Sequence, residues 1–251
     1  VSEKKRYGSV LYKAVEIIDY LRDIETPVTL MEICTVLKIN KGTASKIMNS
    51  LLDLNLVMRD ELTNRFTMGS RLIGYGAVAT KQFNIETITA PIMEELHSKF
   101  GETLHLGIEQ NGRMMYLRKY EAVSPVNLRS RVGQTIPLYA SAMGKATLAA
   151  KPNQEIYNYY HAAEIIRYTE NTITNFEHFM AEIERIRKRK YAVDNEEYEL
   201  GVQCVAIALT KFGKNHGAIS ISVPKYRMND NLRGDIIDSL LLTKDKIEKK
   251  L

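Results

Sequence analysis

Lys41, Thr43, Ser45, Lys46 and Asn49 stand within one short segment, and their types and spacing suit contact with a nucleic acid. Two ammonium groups can neutralise backbone phosphates, while two hydroxyls and an amide can donate and accept hydrogen bonds at base edges in a major groove. The pattern carries that meaning only if the five side chains project from one side of a helix whose other side is buried. Ala44, Ile47, Met48 and Leu51 supply the buried side at three- and four-residue spacing. The bland alternative is a core helix whose outward residues only keep the surface wet, so the flanking elements must decide.

Those elements follow from local chemistry. Thr29 lies three residues before Glu32, so hydroxyl and carboxylate can satisfy each other's backbone donors and start a helix at Leu30. Leu30, Ile33, Cys34 and Leu37 mark its buried face, and the period breaks at Lys38-Ile39-Asn40, which predicts a tight turn. An earlier helix is expected from a cap at Ser9, with Val10, Ala14, Ile17, Ile18 and Leu21 on one face, ending before Glu25-Thr26-Pro27. Downstream, residues 56–60 and 65–68 read as two short strands around the polar loop Glu61-Leu62-Thr63-Asn64. Arg59 and Arg65 border that hairpin, in reach of phosphate or a minor groove. The order helix, helix, turn, helix, hairpin is that of a winged helix-turn-helix.

Charge supports this locally rather than globally. The chain carries a formal +5, but residues 1–70 hold ten Lys and Arg against nine Asp and Glu. Between Ile33 and Leu52 the only charges are Lys38, Lys41 and Lys46, which concentrates positive charge on the proposed docking helix.

Catalytic constellations are not signalled. Ser141 and Lys145 are four apart and miss the serine-x-x-lysine spacing, and Gly144-Lys145 lacks the rest of a Walker loop. His97, His105, His161, His178 and His216 are scattered, and Cys34 and Cys204 read as buried thiols rather than a disulfide or metal site. No cofactor and no metal are expected, and the chain is read as a non-enzyme. At 251 residues, with 45% hydrophobic and 26% charged, the chain can bury two domains of ordinary globular composition. No apolar run approaches the roughly 18 residues of a membrane span. The charged start VSEKKRYGS lacks the apolar core of a secretion signal, so a cytoplasmic location is expected.

Residues 69–83 are expected to form a connecting helix. Gly74-Tyr75-Gly76 with Ala79 formally fits a dinucleotide fingerprint, but no buried strand leads into it, and small residues permitting close helix packing are the simpler reading. A helix over 91–100 is followed by a hairpin, 104–109 and 114–119, turning at Asn111-Gly112. Thr174 and Glu177 repeat the reciprocal-cap spacing before a helix running towards Lys190, whose basic end from Arg185 reads as solvated. Residues 201–209 and 217–223 read as strands about a polar turn, and 229–242 as a closing helix. Helices with a mostly antiparallel sheet make an α+β domain. Ser141 is placed to cap a helix opening at Ala142, whose first amides would favour a carboxylate or phosphate. Ser220 and Ser222 alternate with Ile219 and Ile221, which puts both hydroxyls on one face of a strand.

The chain resembles the IclR-type bacterial transcriptional regulators. The resemblance rests on Asn40-Lys41-Gly42-Thr43-Ala44-Ser45-Lys46-Ile47-Met48, Arg65-Phe66-Thr67-Met68-Gly69, Val132-Gly133-Gln134-Thr135-Ile136-Pro137-Leu138, Ala142-Met143-Gly144-Lys145-Ala146, Tyr191 to Glu197, Gly201 to Ala206 and Ala218 to Ser222, in the family's order. It departs at Lys38, where the family often has glycine, and at Gly42, where it often has serine. The resemblance implies a winged helix-turn-helix over 1–70, a linker helix over 71–84 and a GAF-like effector-binding and oligomerisation domain over 85–251. It also implies that the backbone at Ala142 and Met143 cradles an acidic effector, with Asp194, Cys204, Ser220 and Ser222 completing the polar lining. From the residues alone, Asp194 reads equally as part of an ordinary acidic loop with Asn195, Glu196, Glu197 and Glu199.

The functional expectation is a ligand-responsive, sequence-specific regulator, a repressor more than an activator. Its partners would be a pseudo-palindromic operator in double-stranded DNA, a small organic or sugar acid, and itself as a dimer or tetramer, with no membrane. The alternative is an allosteric interaction module that senses a small molecule without binding DNA.

Overall fold

The computed structural model describes residues 8–24, 26–81, 84–124 and 128–251, in two compact units, Val1–Gln82 and Phe83–Leu251. The expected helix stop at Glu25, the linker's end at residues 82–83 and the charged residues 1–7 lie outside the described residues.

The first unit contains α1 (Ser9–Ile24), α2 (Leu30–Leu37), α3 (Lys41–Asp53), β1 (Val57–Arg59), β2 (Phe66–Met68) and α4 (Arg71–Lys81). Helix α1 includes Ser9 instead of being capped by it; Leu11 N–H bonds the Gly8 carbonyl at 2.8 Å in the preceding turn. Thr29 caps α2 through the reciprocal box, its Oγ1 accepting from Glu32 N–H at 3.3 Å while its own N–H donates to Glu32 Oε2 at 2.6 Å. Lys38 ends α2 in the left-handed region at φ 53°, ψ 38°, the conformation a glycine would adopt without strain. Ile39 then buries its side chain, and Asn40 Oδ1 accepts from Thr43 N–H at 2.8 Å to start α3. Ile17, Leu21, Ile33, Ala44, Ile47, Met48 and Leu51 form one core with Val57 and Phe66. Val28 joins β2 through a bridge to Phe66, so the wing is anchored on a third extended segment.

The second unit is a six-stranded antiparallel sheet, order β5-β4-β3-β8-β7-β6, with helices on both faces. Its elements are α5 (Asn84–Phe100), β3 (Thr103–Gln110), β4 (Arg113–Tyr120), β5 (Thr135–Pro137), α6 (Ala142–Ala149), α7 (Asn153–Ala162), α8 (Phe176–Arg189), β6 (Ala192–Asn195), β7 (Val202–Lys211), β8 (Lys214–Pro224) and α9 (Asp230–Glu248). Strand alternation divides the core in two. Val205, Ile207, Leu209, Ile219, Ile221 and Val223 pack with α5 and α9, while Ala206, Ala208 and Ala218 pack with α6 to α8.

Several expectations are corrected. Helix α5 begins at Asn84 and runs through Pro91; Thr87, whose carbonyl loses its partner to the proline, is exposed to water. Asn175, not Thr174, caps α8, its Oδ1 accepting from His178 N–H at 3.0 Å, and Thr174 Oγ1 instead accepts from Arg167. Strands β7 and β8 extend to a two-residue turn at Phe212-Gly213, both at positive φ, the conformation that matches strand twist. The acidic stretch is not a solvated loop: Asp194 lies in edge strand β6, and Asp194, Glu196 and Glu197 are all buried.

Candidate nucleic-acid interface and ligand cavity

On α3, Lys41, Lys46 and Asn49 are exposed and Thr43 and Ser45 half-buried, while Ala44, Ile47 and Met48 are buried. The polar side of the helix therefore faces water. Neither ammonium group has a hydrogen-bond or ion partner among the described residues, so both are available to phosphate.

The wing arginines differ. Arg59 is exposed and donates to Asn64 Oδ1, its guanidinium 5.8 Å from the centre of the Phe66 ring. Arg65 is engaged within its own unit, donating to the Pro27 carbonyl at 2.8 Å and lying 3.6 Å from Glu32 Oε2. It thus ties the wing to the cap of α2. Asp60 shapes the wing tip by accepting from Leu62 and Thr63 N–H at 3.1 and 2.7 Å.

In the second unit a cavity of about 350 Å³ opens between the sheet and the start of α6. Ala142, Met143, Asp194, Cys204, Ser220 and Ser222 all line it. Register explains the convergence. Asp194 pairs with Cys204 and Cys204 with Ser222, one row across β6, β7 and β8; Ala206, Ser220 and His105 make the next row. At the helix end, Ser141 Oγ accepts from Gly144 N–H at 3.2 Å and donates to the Pro137 carbonyl at 2.9 Å. The amides of Ala142 and Met143 have no carbonyl one turn earlier to bond, which leaves a positive pole at the cavity wall. Gly144 permits this approach, because a Cβ there would lie 2.3 Å from the Leu138 backbone.

The cavity also gathers residues not expected from the sequence, among them His105, Tyr116, Arg129, Ser130, Tyr168 and Tyr198. His105 could have been flagged, since a polar residue alternates there with the buried Leu104 and Leu106. Its Nε2 shares a 2.7 Å hydrogen bond with Ser130 Oγ. The others come from loops or from strands whose register is set far away in sequence, and local pattern carries no signal for them.

Burial governs the electrostatics. It drives His105 down to about 3, with Lys119 adding to the effect, so the ring is neutral. It pushes the Asp194 carboxyl up to about 7; the Glu197 carboxylate raises it further, while Lys145 and the amides of Glu197 and Tyr198 oppose the rise. It also raises the Cys204 thiol, which remains protonated and donates to Ser222 Oγ at 3.1 Å. Behind the wall, the fully buried Lys145 is paired with Glu197. Among the described residues no cluster of three His, Cys, Asp or Glu side chains is placed to hold a metal, and no helix is long and apolar enough to cross a membrane. In the basic end of α8, Arg185, Lys188 and Lys190 are exposed, while Arg187 donates to the carbonyls of Ala149 and Lys151 and Arg189 pairs with Glu182.

A winged helix-turn-helix followed by an α+β unit with a polar cavity is the build of a DNA-binding regulator. The family model described as bacterial transcriptional regulator IclR C-terminal matches residues 77–249, and the chain belongs to the IclR family of transcriptional regulators. It is similar to the solved IclR of Thermotoga maritima, with 32% identity, a TM-score of 0.82, and coverage of 97% of this chain and 98% of that one. It is 28% identical to an uncharacterized HTH-type transcriptional regulator of Haemophilus influenzae, over 99% of this chain and 95% of the relative. The DNA-binding transcriptional repressor YiaJ of Escherichia coli is also 28% identical, over 99% of this chain and 90% of that protein.

Proposed function

We propose that this regulator is a repressor whose operator affinity is set by a small organic or sugar acid held in the second unit. The observation that carries the reading is the convergence of Ala142, Met143, Asp194, Cys204, Ser220 and Ser222 on one cavity at a helix start. Unpaired amides suit a carboxylate, and the neutral donors and acceptors of Cys204, Ser220 and Ser222 suit hydroxyl or carbonyl groups. The relative named as a repressor supports the sign of regulation.

On DNA, Lys41 and Lys46 hold phosphates, Thr43, Ser45 and Asn49 meet base edges, and Arg59 reaches the backbone from the wing. Arg65 serves that surface by fixing the wing, since its guanidinium already has partners. The working division is a DNA-binding domain over 1–70, a linker helix over 71–84 and an effector and oligomerisation domain over 85–251. A single helix reads one half-site, so a dimer, or a tetramer built from dimers, on a pseudo-palindrome supplies enough discrimination. The ligand acts by preferring one arrangement of the domains and shifting DNA affinity through that difference. DNA as partner puts the protein's work in the cytoplasm.

The test is calorimetry with a panel of organic and sugar acids, followed by gel-shift titration of operator DNA with and without whichever acid binds. Binding that shifts operator affinity is the expected result. No acid bound, or an acid bound with operator affinity unaltered, would remove the sensor role.

A further inference from the structure

A second cavity, of about 470 Å³, lies in the same unit between the turn of β3 and β4, the chain after β5 and the end of α7. Small-molecule pockets run to roughly 300–1,000 Å³, so its size suits a compact ligand. Tyr139, Tyr159 and Tyr168 give it aromatic walls. Tyr168 also lines the cavity at α6, its ring centre 4.9 Å from that of Tyr198 and 6.4 Å from that of Tyr139, so one ring separates the two spaces. The tight turn keeps the mouth narrow: Gly112, at φ 72°, runs so close to the Tyr159 ring that an added Cβ would stand 3.9 Å from it.

Polar groups of both kinds stand between those rings. Arg113 donates through Nε to Thr135 Oγ1 at 2.9 Å and through Nη2 to the Thr135 carbonyl at 3.3 Å, which leaves Nη1 without a partner among the described residues. The Tyr159 hydroxyl accepts from Tyr139 N–H at 3.1 Å, and its own proton has no acceptor there; burial pushes the phenol up to about 12, so that proton stays in place. Asn111 and Glu164 are exposed in the lining, with neither side chain engaged among the described residues. Glu109 holds Lys151 at 2.7 Å, so Arg113 is left to balance Glu164 and the lining offers no net charge to an ion. It offers donors beside acceptors, which suits hydroxyl groups, since each hydroxyl both gives and takes a hydrogen bond. The negative faces of the tyrosines in turn suit the weakly positive C–H face of a saturated ring. We propose that this second cavity binds a neutral sugar, its ring against the tyrosines and its hydroxyls on Asn111, Arg113, Tyr159 and Glu164. Such a site is independent of the acid sensor. A phenol would use one of those polar groups and leave the rest to water.

The experiment uses the full chain, with glucose, galactose, xylose and arabinose as probes and phenol as a comparison. Saturation-transfer NMR detects binding, and calorimetry measures it for the wild type and for Glu164→Ala, Asn111→Gly and Ser220→Ala. Glu164 is exposed and unpaired, and glycine keeps the positive φ that Asn111 adopts, so the first two variants are expected to fold as the wild type does. Ser220→Ala alters only the cavity at α6. At least one of the four sugars is expected to bind more tightly than phenol. Its affinity should fall by about fivefold in Glu164→Ala and in Asn111→Gly, the effect of one lost hydrogen bond, and be retained in Ser220→Ala. No sugar bound, or phenol bound more tightly than every sugar, overturns the assignment of the ligand. A sugar whose affinity falls in Ser220→Ala, or is unchanged in both Glu164→Ala and Asn111→Gly, binds elsewhere and overturns the site. None of these results bears on the acid sensor, which the acid panel decides separately.

Discussion

Glu197 turns its backbone amide onto Asp194 Oδ1 at 2.7 Å while its own carboxylate holds the buried ammonium of Lys145. One residue therefore joins the cavity wall to the core ion pair beneath it. Removing one member of such a pair leaves an uncompensated buried charge. Lys145→Met is expected to lower stability by about 3–5 kcal/mol, and the double variant Lys145→Met/Glu197→Leu to recover much of that loss. Chemical denaturation of the three proteins checks this; a double variant as unstable as the single one would argue against an isolated charge as the cause.

The pH dependence of stability follows from Asp194. Its folded value of about 7 lies above the ordinary 3.8, so between these values the folded state binds more protons than the unfolded state. Stability from this group is fully present below the unfolded value and is lost as pH rises through the folded value. Asp194→Asn should therefore gain melting temperature relative to wild type at pH 8 but not at pH 4, at about 2–4 °C for each kcal/mol relieved. Parallel melting curves at both pH values would contradict the assignment.

On DNA, Lys41→Ala and Lys46→Ala are expected to weaken binding to all sequences alike and each to reduce the salt slope by about 1. Gel-shift titrations at several salt concentrations measure it; slopes equal to wild type would remove the phosphate contacts from α3.

Asn49→Ala should instead relax sequence preference, since a lost bidentate base contact costs about 1–3 kcal/mol of discrimination at one position. Binding-site selection from a random pool reads this directly, and an unchanged consensus would take Asn49 off the base-reading face.

Gly144→Ala tests the helix start. The added methyl would lie 2.3 Å from Leu138 backbone atoms, so α6 must retreat, at a cost of about 1–3 kcal/mol. Acid binding should weaken more than stability does, because the retreat moves the amides of Ala142 and Met143. Ligand affinity retained in a destabilised protein would separate those amides from the ligand.

Elements whose cause is local were legible in the sequence. The box of Thr29 and Glu32, the inward face of α3, the Asn111-Gly112 turn and the Ser141 cap each depend on residues within one or two turns of chain. Propensity and spacing suffice there. The same locality explains a miss: Thr174-x-x-Glu177 and the overlapping Asn175 offer two caps, and only packing of Phe179 and Ile183 in the core chooses the register of α8.

What the sequence by itself determined is the kind of surface α3 presents and the alternation that puts Ser220 and Ser222 on one strand face, because both follow from the periods of helix and strand. Only the tertiary structure decided that Asp194 is a buried wall carboxyl instead of a solvated one, that His105 shares its cavity, and that Arg65 is spent on Pro27 and Glu32. These depend on which strands lie side by side and on how much water is excluded between them, and neither quantity is carried by any short stretch of chain.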